Sequence, residues 1–370
     1  MIVAFFGGYD PDYPRVRVFR EGLEARGVTV RDLHVSPSAA PPVRVASLAA
    51  AWLSRGAGLD AILVPAFGHR DVALASLLGR VAGVPVLFDP LVSRWDTQVG
   101  DLGRVRAGSV SAARMRWSDR ASMRLADALL CDTWEHADFF TGAMGVPRRK
   151  MTRVPVGADA ATFARGAERR PRGTGAPLDV VYVGGFLPLH GLPTIVEAAA
   201  ILETRRGTGF ARFTLLGAGM LAHRVARDIA SHGLRSVRLL GRTPYPEAME
   251  LLAGADLALG IFGVTEKAAR VVPHKVFQAL ALGVPTVTRR SPAVAEFFRE
   301  GAHVALVPPG DAPALAAAIE SLAADPARRE RMGRTGREAA LEVGEPSRIG
   351  SILVDAVTRA RDATAPRRSR

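Results

Sequence analysis

Cysteine is almost missing from this chain. Cys131 stands alone among 370 residues, so no disulfide can form within the chain and no thiolate metal site can be built. Such usage fits a reducing compartment, and the cytoplasm is the expected location. The eight histidines are scattered without ligand spacing, and no metal is expected to be required. Lysine is scarce as well: positive charge rests on arginine, with only Lys150, Lys267 and Lys275 beside it. Aromatic residues make up 6% of the chain, too few for a surface of stacked bases, which sets nucleic acid aside although the formal net charge is +13. No apolar run approaches the roughly 18 residues that span a bilayer. Met1-Ile2-Val3-Ala4-Phe5-Phe6 lacks a basic leader and a small-residue cleavage site, and reads as a first buried strand.

What is present is a folded, two-domain pattern. A hydrophobic share of 48% with 23% charged residues excludes disorder as the main state, and the length exceeds one ordinary core. Short apolar runs alternate with amphipathic stretches, the signature of βα units on parallel sheets. Strands are expected near 2–6, 28–33, 61–65, 85–88 and 128–131, then near 178–183, 212–216, 236–240, 256–261, 285–288 and 303–307. The stretch Pro171-Arg172-Gly173-Thr174-Gly175-Ala176-Pro177 is the best linker. The expected division is therefore a first domain over 1–165, a linker over 166–177, a second domain over 178–345, and a segment over 346–370. That segment reads as a helix returning to the first domain plus a basic tail.

Leu216-Gly217-Ala218-Gly219-Met220-Leu221-Ala222 follows an expected strand and opens a helix, matching the G-x-G-x-x-A pattern in which backbone amides approach a pyrophosphate. A nicotinamide cofactor would also need an acidic residue at the end of the next strand, and Val237-Arg238-Leu239-Leu240 ends instead in Gly241-Arg242. Diphosphate binding survives; a dehydrogenase does not. Arg116, Arg120 and Arg124, spaced by four, share one helical face. That face is either solvated or docks on an anionic membrane or a diphosphate-bearing acceptor.

The second half resembles a specific family. Val183-Gly184-Gly185, His190-Gly191, Leu216-Gly217-Ala218-Gly219, Leu239-Leu240-Gly241, Ala255-Asp256, the run from Pro273 to Pro285 and Val307-Pro308-Pro309-Gly310-Asp311 follow one another as in the C-terminal domain of family 4 glycosyltransferases. In the first half Gly7-Gly8, Asp127-Ala128-Leu129-Leu130 and Val154-Pro155-Val156-Gly157-Ala158-Asp159 sit where that family keeps its acceptor-side loop, last strand and crossover. The resemblance implies a GT-B fold, two Rossmann-like doubly wound α/β domains facing across a cleft. It also implies retaining transfer of a sugar from a nucleoside-diphosphate sugar, a co-substrate rather than a cofactor, to a hydroxyl acceptor.

The departures from the family define the candidate site. An arginine is usual where Gly185 stands and a lysine where His190 stands, and those two cations normally meet the charge of the departing diphosphate. The usual glutamates, with seven residues between them, fall on Arg270 and Gln278. A related branch carries Pro-x-Lys-x-x-Glu, which Pro273, Lys275 and Gln278 follow except at the last position. The donor set implied is Gly184, Gly185, Gly217, Gly219, Arg242, Arg270, Lys275 and Gln278, with His190 and Glu266 nearest the chemistry. On the acceptor side Asp89 ends an expected strand and is a candidate for orienting or deprotonating the hydroxyl, although such an Asp also caps loops. Gly7, Gly8, Tyr13, Arg15 and His69 complete the acceptor set; His69 with Asp71 forms a second candidate pair unless Asp71 caps the helix that follows. The reading is a transferase acting on a cell-envelope glycan, a lipid-linked intermediate or a secondary metabolite, at the inner face of an anionic membrane. A glycosyltransferase-like accessory protein is the alternative.

Overall fold

The computed structural model describes residues 1–168 and 177–364; the expected linker from Pro171 to Ala176 and the tail after 364 lie outside them. The chain runs β1 (Ile2–Gly7), α1 (Pro14–Glu24), β2 (Thr29–His34), α2 (Pro41–Arg55), β3 (Ala61–Val64), α3 (Val72–Ala82), β4 (Val86–Phe88), α4 (Val110–Leu125), β5 (Ala128–Cys131), α5 (Trp134–Met144) and β6 (Met151–Arg153). It continues with α6 (Ala160–Glu168), β7 (Leu178–Val183), α7 (Leu192–Arg206), β8 (Ala211–Leu216), α8 (Ala222–Ser231), β9 (Val237–Leu240), α9 (Tyr245–Ala253), β10 (Leu257–Leu259), α10 (Glu266–Arg270) and α11 (His274–Ala281). It ends with β11 (Thr286–Arg289), α12 (Pro292–Ala295), β12 (Ala305–Val307), α13 (Ala312–Ala324), α14 (Pro326–Gly344) and α15 (Pro346–Thr364).

Two compact units result, Met1–Asp159 with Gly344–Arg370, and Ala160–Val343. Each is built on a six-stranded parallel sheet, in the orders β2-β1-β3-β4-β5-β6 and β12-β11-β10-β7-β8-β9. Strand β3 is buried along its whole length, as a central strand covered on both faces must be, and this is why it reads as an unbroken apolar run. Edge strand β9 is at most half-buried. Left-handed glycines close α3 and α5, with Gly83 at φ 66° and Gly145 at φ 62°, a conformation that costs a residue with a Cβ more than it costs glycine. Among the described residues no helix is long and apolar enough to cross a membrane.

The first unit has two apolar layers. Residues of α2, α3, α4 and α5 pack on one face of its sheet around Phe6, Val64, Phe88 and Phe140. On the other face α1 and α15 pack around Phe5, Phe19, Leu353 and Val357. Helices α1 and α15 cross where two glycines meet; a Cβ added at Gly22 would lie 2.8 Å from the Gly350 amide nitrogen. Two differences from the sequence expectation concern boundaries. Strand β6 was not expected, because three residues before a Val-Pro step carry no period. The division falls after Asp159 rather than at 165, because α6 packs on α9 and α11 of the second sheet.

Candidate functional site

In an open parallel sheet ligands bind outside the C-terminal strand ends, where the strand order reverses. In the second unit that point lies between β7 and β10. The loop after β7 carries Gly184, Gly185 and a short helical turn, Pro188–His190; the loop after β10 carries Phe262 and Gly263. The two are stitched by Phe262 N–H to His190 O at 3.0 Å and Gly263 N–H to Leu189 O at 3.2 Å.

The notable group at this point is Lys275, on the first turn of α11. Its ammonium nitrogen is buried with no hydrogen-bond partner among the described residues and sits 3.7 Å from the centre of the Tyr182 ring. Burial without a counter-ion pushes its pKa well below the ordinary lysine value. A Cβ at Gly184, whose φ is 145°, would come within 2.6 Å of that nitrogen. Glycine there leaves the room that the buried amine occupies.

His190 is held by the same loop. Its Nδ1 makes a short contact to the Gly185 carbonyl and lies 3.0 Å from the Tyr182 hydroxyl, which itself donates to Gly185 O at 2.8 Å. A carbonyl so close requires the proton on Nδ1, which leaves Nε2 as the acceptor in the neutral ring. Burial and the positive charge of Lys275 push His190 well below its ordinary pKa. The ring can therefore donate to an anion only after gaining a second proton.

The glycines of the 217–219 loop serve the protein before any ligand. Gly217 N–H donates to Leu240 O at 3.0 Å and Phe186 N–H to Ala218 O at 2.9 Å. A Cβ at Gly219, φ 158°, would lie 2.6 Å from Phe186 O. A bulky residue at 219 would displace the Phe186 loop, so it cannot test nucleotide contact alone. Gly185 differs: its Cβ would meet only ordinary contacts at 3.5 Å or more.

The remaining donor candidates divide by burial. Gln278 is buried in α11 and its Nε2 donates to the Tyr245 hydroxyl at 3.2 Å, which lies 3.1 Å from the Thr162 hydroxyl. Glu266 is almost wholly exposed and pairs loosely with the mostly buried Arg270 at 3.5 Å. Arg242 is exposed just beyond β9. Tyr182, Tyr245 and Lys267, the last buried and lowering the His190 pKa, escaped the sequence reading. Their only signals were a polar tip inside an apolar run and a cation on a short helix.

The first unit corrects several expectations. Asp89, a candidate acceptor base, and Arg15, a candidate acceptor contact, are fully buried and paired, Nε to Oδ2 at 2.6 Å and Nη2 to Oδ1 at 3.1 Å. Arg15 Nη1 also donates to Val154 O and Pro155 O at 3.1 and 3.2 Å. Burial pushes the Asp89 carboxyl up while Arg15 pulls it down. The pair fastens the ends of β4 and β6 to α1 and has no face for a ligand. The Gly7–Gly8 loop is likewise occupied: Asp71 accepts the Gly8 N–H at 3.0 Å and holds Arg44 through two bonds of 2.6 Å. Asp71 thus neither caps α3 nor pairs with His69. The His69 side chain is buried against Phe88, its Nε2 3.9 Å from Asp119 Oδ1, and desolvation keeps its pKa low. Tyr13 alone of the acceptor set borders solvent beside an exposed group: it meets Phe67 edge-on at 5.2 Å, and Phe67 is half exposed at φ 68°. Leu91 at φ 55° is the second such residue. Both follow strand ends, where backbone strain tends to collect at functional sites.

Comparison with known proteins gives this geometry a family. A model described as "Glycosyl transferase 4-like domain" matches residues 2–157, and one described as "Glycosyl transferases group 1" matches residues 177–325. The chain belongs to the group 1 glycosyltransferases. Among curated relatives of this glycosyltransferase, the putative colanic acid biosynthesis glycosyltransferase WcaL of Salmonella typhimurium is 30% identical over 180 residues, covering 48% of this chain and 43% of that protein. The α-D-kanosaminyltransferase of Streptomyces kanamyceticus is 28% identical over 263 residues, covering 69% and 66%. The glycosyltransferase thus spans between about two fifths and two thirds of the length of these relatives. Its fold matches sucrose-phosphate synthase from Thermosynechococcus elongatus, with a TM-score of 0.74, 17% identity, and 98% and 100% of the two chains covered. It also matches HepE of Anabaena, solved with UDP and glucose, with a TM-score of 0.71, 15% identity, and 97% and 100% covered. The fold of this glycosyltransferase is GT-B.

Proposed function

We propose that this chain moves a sugar from a nucleoside-diphosphate sugar to a hydroxyl, with retention of anomeric configuration, in building a cell-envelope glycan, a lipid-linked intermediate or a secondary metabolite. The observation that carries the reading is Lys275: a buried amine with no hydrogen-bond partner among the described residues, at the switch point of the second sheet, against a glycine that makes room for it. An amine that burial leaves without a counter-ion, so that it must stay charged unpaired or give up its proton, destabilises the empty protein. A diphosphate would relieve that cost and raise the pKa of both Lys275 and His190, so that both meet the charge growing on the leaving group. No metal is given a role. Arg270 and Arg242 supply outer positive charge in this proposal, Glu266 the carboxylate that approaches the sugar, and Gln278 with Tyr245 the nucleoside contact. Tyr13 beside Phe67 is the acceptor surface. The relatives named for sugar transfer and the HepE complex with UDP and glucose support a nucleotide-sugar donor. A cytoplasmic location with peripheral contact to an anionic membrane belongs to the same proposal.

Lys275→Met tests it. The substitution keeps the side-chain length and removes the charge, so the ligand-free second unit is expected to melt at a higher temperature. The stabilisation by nucleoside diphosphates, about 2.7 kcal/mol at a hundred times the dissociation constant for the wild type, is expected to disappear. A variant that still binds them as the wild type does would remove Lys275 from the donor site. Product stereochemistry, read by nuclear magnetic resonance, tests retention separately.

A further inference from the structure

The arginine face that suggested a membrane is already engaged. Arg116 Nη2 donates to Ala143 O at 3.1 Å and Arg124 Nη2 to Gly145 O at 3.0 Å, while a Cβ at Gly145 would lie 3.2 Å from Arg120 Nη2. These side chains cover the C-terminus of α5 and meet its unpaired carbonyls.

The neighbouring surface has a different composition. On α3, Leu77 is 59% and Val81 82% exposed; on α4, seven residues apart, Val110 is 76% and Trp117 72% exposed. Helices α3 and α4 pack side by side. Leu74 and Leu78 extend the α3 stripe as half-buried residues, so the helix is apolar toward water as well as toward the core. Arg80 and Arg114 are exposed on the same two helices, and Arg104 and Arg106 on the loop leading into α4. On the two helices no exposed carboxylate balances them among the described residues: α3 has none, and Asp119 of α4 is buried, accepting from Ser93 Oγ at 2.8 Å and Trp95 N–H at 2.9 Å.

We propose that the first unit docks on an anionic bilayer through the outer faces of α3 and α4, with Val81, Val110 and Trp117 entering the headgroup layer and Arg80, Arg104, Arg106 and Arg114 meeting lipid phosphates. The proposal rests on the reading of peripheral membrane contact given above and names the face. Exposed apolar residues fringed by arginine, with a tryptophan among them, match a surface that is negative outside and apolar beneath. A second copy of the chain is the poorer partner, because pairing like faces would set arginine against arginine.

Sedimentation with vesicles of neutral phosphatidylcholine, or of phosphatidylcholine with phosphatidylglycerol, tests the assignment. Binding is expected only to the anionic vesicles and to weaken with salt. Val81→Asp with Trp117→Asp is expected to reduce partition at least tenfold, and Arg114→Glu by about fivefold or more, since each basic residue near such a surface contributes about 1 kcal/mol. Leu251→Asp, at an exposed apolar residue of the second unit, is expected to leave partition unchanged. Tryptophan emission should shift to the blue on binding, and Trp117→Phe should abolish most of that shift while retaining most of the binding. Binding that ignores lipid charge, or no binding at all, overturns both the face and the membrane reading. Anionic binding that survives Val81→Asp with Trp117→Asp overturns the face alone, as does a dimer in solution that this double variant dissociates. Thermal shift by nucleoside diphosphates is expected to be unchanged in every variant, so the donor site is judged separately.

Discussion

Replacing Asp89 with asparagine separates a structural pin from a catalytic carboxylate. The substitution removes the counter-charge and one acceptor oxygen, leaving the Arg15 guanidinium fully buried with only neutral acceptors, the remaining amide oxygen and the carbonyls of Val154 and Pro155. Breaking one side of a buried ion pair costs about 3–5 kcal/mol, mostly because the remaining charge is uncompensated. For a unit of this size that corresponds to a fall in melting temperature on the order of 6–20 °C. All four tryptophans, Trp52, Trp95, Trp117 and Trp134, lie in the first unit, so their fluorescence follows its unfolding in urea without interference from the second. The double variant Arg15→Met with Asp89→Leu removes both charges and leaves two carbonyls short of one donor. It is expected to be more stable than Asp89→Asn alone, because apolar replacements of a buried pair are often neutral. If Asp89→Asn stays within about 1 kcal/mol of the wild type while sugar transfer disappears, the pin is a catalytic group and the argument from burial fails.

Gly185→Arg should fold normally, since its Cβ meets only ordinary contacts, and should tighten nucleoside diphosphate binding in calorimetric titration; weaker binding would mean that the loop does not face the diphosphate. Gln278→Ala should weaken the same binding several-fold, whereas Gln278→Glu should change it little, because a carboxylate accepts more strongly but repels the diphosphate. Binding should take up protons, since Lys275 and His190 both have lowered pKa values in the empty protein; affinity then rises as pH falls, and titration in buffers of unlike ionisation heat measures the uptake. The same linkage predicts that ligand-free stability increases with pH up to the unfolded lysine value of about 10.4, because over that interval the unfolded chain holds the Lys275 proton and the folded chain does not. Flat stability across that range would mean that the amine has a partner.

Period and order were enough for the two sheets, because a strand buried on both faces, such as β3, must be an apolar run and cannot be mistaken for a surface segment. Gly217 and Gly219 were legible for the same reason that they are glycines: a Cβ at either would strike the backbone of the 184–186 loop. What could not be read was which polar groups turn inward. Asp89 at a strand end is the same letter whether it faces a substrate or meets an arginine 74 residues earlier. Asp71 and His69 are near neighbours in sequence, yet Asp71 holds Arg44 while His69 packs on Phe88 near Asp119. Those pairings depend on tertiary contacts with α1, α2 and α4 that no local pattern specifies. Lys275 was visible as a motif residue, but its lack of a counter-ion is a property of the folded unit.

The placement of α15 has a consequence for synthesis. Ile349, Leu353, Ala356 and Val357 fill one face of the first sheet, and they are translated only after the whole of the second unit. While the chain is being made at roughly 5–20 residues per second, β1 to β6 must wait with the apolar side of α1 and half of their sheet uncovered. The second unit, from Ala160 to Val343, can close meanwhile. The unit that is begun first is therefore the unit that matures last, and a chain broken off before α15 carries one finished unit attached to one that cannot finish.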